Sequence, residues 1–188
     1  MEPAMSPSPR GTDHAFSLLA VLRNGTPVTI RVMRPDDRER LVAAFAKLER
    51  DSIYVRFFSF RKEIPERALD RIADIDFENL LGLVATVGEG AAETVVGSAT
   101  YVANPVSDGI RSAEVAFTIV EDYQGQGLGG RLFEAAASLA RRHGIARFTA
   151  DVLSSNAAML RVFLRSGLPM RRRRDGSTIH VELDLGPR

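Results

Sequence analysis

The sequence predicts a mixed α/β domain: a mainly antiparallel central sheet of about seven strands flanked by helices, with an extra N-terminal edge strand. Three observations carry this expectation. Short apolar runs recur with turn signals between them, and two of the turns, Asn24-Gly25 and Asp175-Gly176, are strong hairpin signals. Apolar stripes at three- and four-residue spacing interrupt the strand pattern and mark helices. A strand beginning near Glu114 runs through a glycine-rich turn directly into a long helix. At 188 residues the chain is one domain with a substantial core, and 45% hydrophobic against 26% charged residues is ordinary for a globular protein.

Taken in order, residues 1–14 are Pro/Ser-rich with almost no apolar content and read as a disordered tail, leaving 15–188 as the folded domain. Phe16–Leu22 and Pro27–Met33 form the first hairpin. Arg34-Pro35-Asp36-Asp37 stops the strand and starts a helix with carboxylates in its first turn, and Leu41, Ala44, Phe45 and Leu48 are its core stripe. Ser52–Phe60 is aromatic-dense and reads as an irregular helix-to-helix segment, with Tyr54, Phe57 and Phe60 filling core gaps or lining an acceptor pocket. Pro65-Glu66 opens the next helix, with Ala68, Leu69, Ile72 and Ile75 facing the core.

Leu80–Val87 and Thr94–Val102 read as a hairpin, and Asn104–Gly109 as a loop. Val115, Phe117 and Ile119 alternate with Glu114, Ala116 and Thr118, the period of a half-buried strand. Leu128–His143 is a helix closed by Gly144, Ala146–Leu153 a strand, and Asn156–Ser166 a helix ended by Gly167. Met170–Arg174 and Thr178–Leu185 close the chain as a hairpin. The arginine run Arg171–Arg174 is one short patch whose alternate side chains face opposite ways, and with a net charge of +1 it does not argue for nucleic acid.

The turn Gln124-Gly125-Gln126-Gly127-Leu128-Gly129-Gly130 is the candidate binding element. It is either a flexible connector or an anion site, because N–H groups opening a helix are unsatisfied and lie in the positive end of its dipole. The pattern fits neither a dinucleotide fingerprint nor a P-loop, since no Gly-Lys-Ser/Thr follows. Cysteine is absent, which excludes disulfides, thiolate metal sites and a cysteine nucleophile. The histidines, His14, His143 and His180, are not at ligand spacing, so no metal is expected. His143 reads as a helix-end residue, and His180 as a strand residue that could face an acceptor cleft. The apolar run Ala15–Leu22 is too short to span a bilayer, where ~20 residues are needed, and lacks the flanks of a signal peptide. A cytoplasmic protein is expected, with no membrane or nucleic-acid partner.

Gln124, Gly127 and Gly129 match the Q/R-x-x-G-x-G/A signature, and residues from about 26 to 185 resemble a GNAT N-acetyltransferase domain. The finer similarity is to the GNAT domain of bacterial Pat-type protein lysine acetyltransferases. Thr29-Ile30-Arg31-x-x-Arg34-Pro35-Asp36-Asp37, Ser52–Ser59, Ala113–Phe117 and Asn156–Leu160 carry it.

The resemblance implies acetyl-CoA as donor. Its pyrophosphate would lie on the N–H groups of Gln126, Gly127, Leu128, Gly129, Gly130 and Arg131, within the turn opened by Gln124 and Gly125, with Arg131 as a cation. Its pantetheine arm would pair with the backbone of Phe117, Thr118, Ile119 and Val120, which requires that strand to splay from the next. Asn156, at the start of the last helix, would also contact the donor. The tyrosine many members carry seven residues after that Asn is here Phe163, which has no proton to give and leaves the general acid unassigned.

Glu114 is the candidate general base, in an apolar strand setting, because an attacking amine must first lose a proton. The expected acceptor is a protein lysine, such as one on an acyl-CoA synthetase, attacking directly in a ternary complex. A small-molecule amine acetyltransferase and a non-catalytic acyl-CoA-binding module are the alternatives. Pat-type proteins often carry a further regulatory or synthetase-like domain, and none is recognised in this chain.

Overall fold

The computed structural model describes residues 13–57 and 63–186, with side chains described outside 54–57. Eight strands form one sheet: β1 (Ser17–Val21), β2 (Pro27–Val32), β3 (Leu80–Val87), β4 (Thr94–Ala103), β5 (Ser112–Ile119), β6 (Arg147–Leu153), β7 (Met170–Asp175) and β8 (Thr178–Asp184). Their order is β1-β2-β3-β4-β5-β6-β8-β7, so β1 is the edge strand that the first hairpin signal predicts. Every neighbouring pair is antiparallel except β5 and β6. Those two are joined by a helical crossover, the connection that parallel strands require.

Among the described residues five helices cover the two faces: α1 (Arg38–Phe45), α2 (Arg50–Phe57), α3 (Glu66–Asp70), α4 (Leu128–Arg142) and α5 (Ala157–Arg165). Leu132, Phe133, Ala136, Leu139 and Ala140 of α4, with Phe163 of α5, pack on one face against Ile30, Leu83, Val115, Phe148 and Val181. On the other face Met33, Ala44, Phe45, Leu48, Ile53, Leu69 and Ile72 pack against Val84, Val95 and Val120. Because both faces are covered, β3 reads as a nearly continuous apolar run rather than an alternating one. No helix among the described residues is long and apolar enough to cross a membrane.

Two local expectations change. Arg50–Phe57 is a regular helix, so the aromatic segment is not irregular up to residue 57. Phe60 and the side chains of Tyr54 and Phe57 lie outside the described residues. Asp13, placed by composition in the tail, is fully buried, with its carboxylate 2.6 Å from Arg142 and 2.7 Å from His143. That anchor sits at the C-terminal end of α4, where the Arg142 guanidinium and the His143 ring both partner the carboxylate. His143 is the C-cap of α4, as its place after the last helical turn predicts.

The motif residues Arg31 and Asp37 form a buried fork. Two guanidinium N–H groups of Arg31 donate to the Asp37 carboxylate at 2.6 and 2.7 Å, and Glu93 accepts from the same guanidinium at 3.0 Å. The Arg34 N–H donates to Asp37 at 2.8 Å, so the fork ties β2 and the β3–β4 loop to the start of α1. Burial opposes ionisation of Asp37, but the Arg31 bonds and the Arg34 N–H outweigh it and hold the carboxyl below its usual range. A depressed carboxyl stabilises the fold at pH above its unfolded value near 4, and that contribution is lost as pH falls through the folded value. Asp37→Asn leaves the buried Arg31 guanidinium with Glu93 as its carboxylate partner in place of two and is expected to cost up to about 3 kcal/mol at pH 7 in urea unfolding. The deficit relative to wild type should shrink as the pH falls below about 4, and a pH-independent deficit would contradict this account.

Candidate active site

β5 and β6 are in register at only three positions: Ser112 with Arg147, Ala113 with Phe148, and Glu114 with Thr149. Beyond Glu114 the strands part. β6 remains paired to β8 along its whole length, and β5 remains paired to β4. The gap between them is a cleft through the sheet, lined by residues from Glu114 to Phe117, from Ala150 to Val152, and by Asn156, Met159 and Phe163. This is the splay that the donor reading requires.

Which backbone groups face the gap follows from strand alternation. The Val120 N–H donates to Val96 O at 3.0 Å, so the backbone groups of Val120, Thr118 and Ala116 turn toward β4. Those of Val115, Phe117 and Ile119 turn toward the cleft. The Ile119 carbonyl is taken at 3.0 Å by Nε2 of Gln124. The expected pairing stretch Phe117–Val120 therefore contracts to both groups of Phe117 and the N–H of Ile119, because alternate residues of a strand serve opposite neighbours. Thr118 and Val120 present no backbone to the cleft.

At its C-terminal end β5 enters the glycine turn. Gly125 and Gly127 have φ of 68° and 93°, a left-handed conformation that a side chain would strain. Gly127 is the N-cap of α4, and the Arg131 N–H closes the first helical bond onto its carbonyl at 3.3 Å. The N–H groups of Leu128, Gly129 and Gly130 precede that bond and have no helical partner, so they form an anion cradle. Gly130 has open space where a Cβ would stand. At Gly129 a Cβ would come within 3.1 Å of Val162 and 3.3 Å of Ile119, so this glycine lets α4 lie close to both β5 and α5. Arg131 is exposed, with Glu134 at 3.6 Å, and its backbone N–H is already used. Its part in the cradle is the side-chain charge alone.

Gln124 does not point at the cradle. Its amide spans Ile119 O and Ser52 Oγ, bracing the turn against α2. Asn156 is the N-cap of α5: its Oδ1 accepts the Met159 N–H at 3.0 Å, and the residue also lines the cleft, leaving Nδ2 for a ligand. Phe163 is buried against Phe117 and Phe133, with ring centroids 6.4 and 5.8 Å apart. Tyr101 does not replace the missing tyrosine. It is fully buried and its hydroxyl donates to the Phe77 carbonyl, while burial pushes its pKa up.

Glu114 stands at the last paired rung, on the sheet face opposite α4. Its side chain is exposed at the mouth of the cleft, so the expected apolar setting does not hold. The cause is again alternation: Ala113 and Val115 take the core face. Among the described residues Glu114 has no ion pair. Asp151, two residues beyond the last rung on β6, lies on the same face and holds Nδ1 of His180 at 2.8 Å. His180 therefore lies on the same face of the sheet as Glu114.

One cation here is missed by sequence reasoning. Arg23, in the β1–β2 turn, donates its backbone N–H to Gln126 O at 3.1 Å and its guanidinium to Gly125 O at 3.3 Å. The first hairpin thus folds over the glycine turn. The Asn-Gly signal locates that turn but not its distant contact. Among the described residues no group of side chains could hold a metal ion. Gly127→Ala is expected to cost on the order of 1 kcal/mol through its positive φ, measured by urea unfolding, whereas Gly130→Ala should be near neutral there. Equal effects at both positions would contradict the conformational argument.

Comparison with known proteins agrees with this geometry. The family model described as "Acetyltransferase (GNAT) family" matches residues 47–168. Acetyltransferase Pat of Mycolicibacterium smegmatis is 34% identical over 167 residues, covering 88% of this chain and 48% of that protein. The chain thus spans about half the length of that relative. Acetyltransferase PA5475 of Pseudomonas aeruginosa is 33% identical over 157 residues, 84% of this chain and 83% of that one. The solved GNAT domain of S. lividans PAT superposes with a TM-score of 0.79 at 30% identity, over 89% of this chain and 96% of that domain. The cleft, the glycine cradle and these matches lead to one conclusion: the chain belongs to the acetyltransferase (GNAT) family.

Proposed function

We propose that this protein transfers the acetyl group of acetyl-CoA to an amine, and that the acceptor is a protein lysine. The observation that carries the reading is the parting of β5 and β6 directly in front of an unpaired helix N-terminus. An extended amide-bearing arm fits the free N–H and C=O of Phe117, and a pyrophosphate fits the N–H groups of Leu128, Gly129 and Gly130. Arg23 and Arg131 add positive charge on either side of the cradle. Asn156 contributes its free amide to the arm. When bound, the donor supplies an activated acetyl thioester.

Glu114 has the position of a general base. A lysine side chain is mostly protonated at pH 7, with a pKa of about 10.4, and must lose a proton before its nitrogen can attack. The exposed carboxylate accepts that proton directly or through water and passes it to solvent. A cleft-facing amide of β5, that of Phe117 or Ile119, lies where it can hydrogen-bond a carbonyl oxygen and stabilise its developing negative charge. Phe117 and Phe163 keep the helix-side wall of the cleft dry. With no cysteine in the chain, direct attack in a ternary complex is favoured over a cysteine acyl-enzyme.

A protein acceptor is supported by the open mouth at Glu114 and Asp151, both exposed on strands that diverge there. The similarity to Pat points the same way. The decisive experiment follows thiol release and peptide acetylation with acetyl-CoA and a mixture of lysine-containing peptides. Glu114→Gln is expected to lower kcat by about 100-fold or more while leaving acetyl-CoA affinity within about twofold. Unchanged turnover would remove Glu114 as the base. Arg23→Ala should raise the Kd for acetyl-CoA by about tenfold and weaken its salt dependence, with little effect on kcat. Calorimetry at two salt concentrations checks this.

A further inference from the structure

On the Glu114 face of the sheet a second cavity lies beyond Ala116. It opens between α1, α3 and strands β4 and β5, with a volume of about 680 Å³ including its mouth. Met33, Leu41, Phe45, Leu48, Leu69 and Ile72 are among its walls, and Ser98, Thr100 and Thr118 form its polar floor. Among the described residues no charged side chain lines it. Glu114, Ala116 and Thr118 are successive residues on one face of β5, beside Val102, Thr100 and Ser98 of β4. At a strand rise of ~3.3 Å per residue, Glu114 and Thr118 stand ~13 Å apart along β5, with Ala116 between them on the same face.

Resting on the donor reading above, we propose that this cavity is an acyl-chain site that admits the hydrocarbon tails of acyl-CoA donors longer than acetyl. A thioester presented at Phe117 lies between the two ends of that file. The amine and its base approach from the Glu114 end, and the Thr118 end leads into an apolar pocket large enough for several methylenes. The tail would run over the hydroxyls of Ser98, Thr100 and Thr118 on the sheet floor, and Met33, Leu41, Phe45 and Leu48 would bury it. Among the described residues no cation stands there to receive the carboxylate of a dicarboxylic acyl group, so desolvation disfavours such a donor. The chemistry is unchanged by chain length. The acyl carbon–nitrogen bond forms and the carbon–sulfur bond breaks; the ammonium gives one proton through Glu114 to solvent, and the second proton, shed by the nitrogen as the tetrahedral intermediate collapses, reaches the departing sulfur through water, so CoA leaves as the thiol.

Calorimetric titration of the full chain with CoA, acetyl-, butyryl-, hexanoyl- and succinyl-CoA tests the site without any acceptor. Full burial gives up to about fourfold per methylene, and hexanoyl-CoA is expected to bind of order tenfold more tightly than acetyl-CoA. Succinyl-CoA should bind no more tightly than CoA itself. Ala68→Phe, at an exposed position on the pocket mouth, and Ala44→Leu, in its wall, should each abolish the gain with chain length. Acetyl-CoA affinity should stay within about twofold, which also shows that the variants fold. A flat response to chain length with normal CoA binding would overturn the acyl-chain site and leave the pocket to an apolar part of the acceptor. A gain that persists in both variants would overturn it equally. No binding of CoA at all would instead overturn the donor reading on which it rests.

Discussion

The brevity of the β5–β6 ladder governs the rest of the molecule. Parallel strands joined through a helix usually pair along most of their length, and here only three positions are in register. Each strand keeps its other neighbour in full, so the sheet consists of two continuous halves, β1 to β5 and β6 to β7, sharing a short seam. Opening a sheet in its interior exposes backbone N–H and C=O groups that would otherwise be paired, an expensive arrangement unless something else satisfies them. In this protein the unsatisfied groups sit at Phe117 and Ile119, directly in front of the α4 N-terminus, itself unsatisfied. Two defects that would each weaken a fold are placed end to end, and together they form one elongated polar track.

Holding that track open takes support from both faces. Phe117, Phe133 and Phe163 form an aromatic layer under one side of the gap. Gly129 lets α4 lie so close to Ile119 and Val162 that a Cβ there would push those side chains back by a few tenths of an ångström. The glycine turn is then braced twice from outside its own sequence neighbourhood, by Ser52 through Gln124 and by Arg23. The signature glutamine and glycines are in this light structural as much as ligand-binding: Gln124 shapes the turn, and Gly127 and Gly129 permit it.

The strand and helix order was legible in the residues because its signals are local. Asn24-Gly25 and Asp175-Gly176 mark hairpins, and Asn156 with Gly167 brackets α5. The glycine run before Leu128 likewise announces a helix start. What sequence could not supply was anything set by alternation relative to a neighbour that is not adjacent in the chain. The exposure of Glu114, the contraction of the pairing stretch to Phe117 and Ile119, and the spending of Gln124 on a carbonyl all depend on which way β5 faces β4. Arg23 was invisible for the same reason, since its role arises 102 positions away from the glycine it contacts. Asp13, placed by composition in a tail, is held by a helix end far along the chain.

The contact of Arg23 with the glycine turn has a consequence for how the domain assembles. Ser112 to Leu153 contains β5, α4 and β6, a compact unit whose internal contacts are close in sequence and inexpensive in loop entropy. Its glycine turn reaches its final shape only when the N-terminal hairpin, the most distant partner along the chain, has docked on it. A chain with a native β5–α4–β6 unit but an undocked hairpin would have the α4 N-terminus formed while its turn lacked both Arg23 hydrogen bonds, so the braced shape of the turn belongs to the whole domain and not to that unit alone.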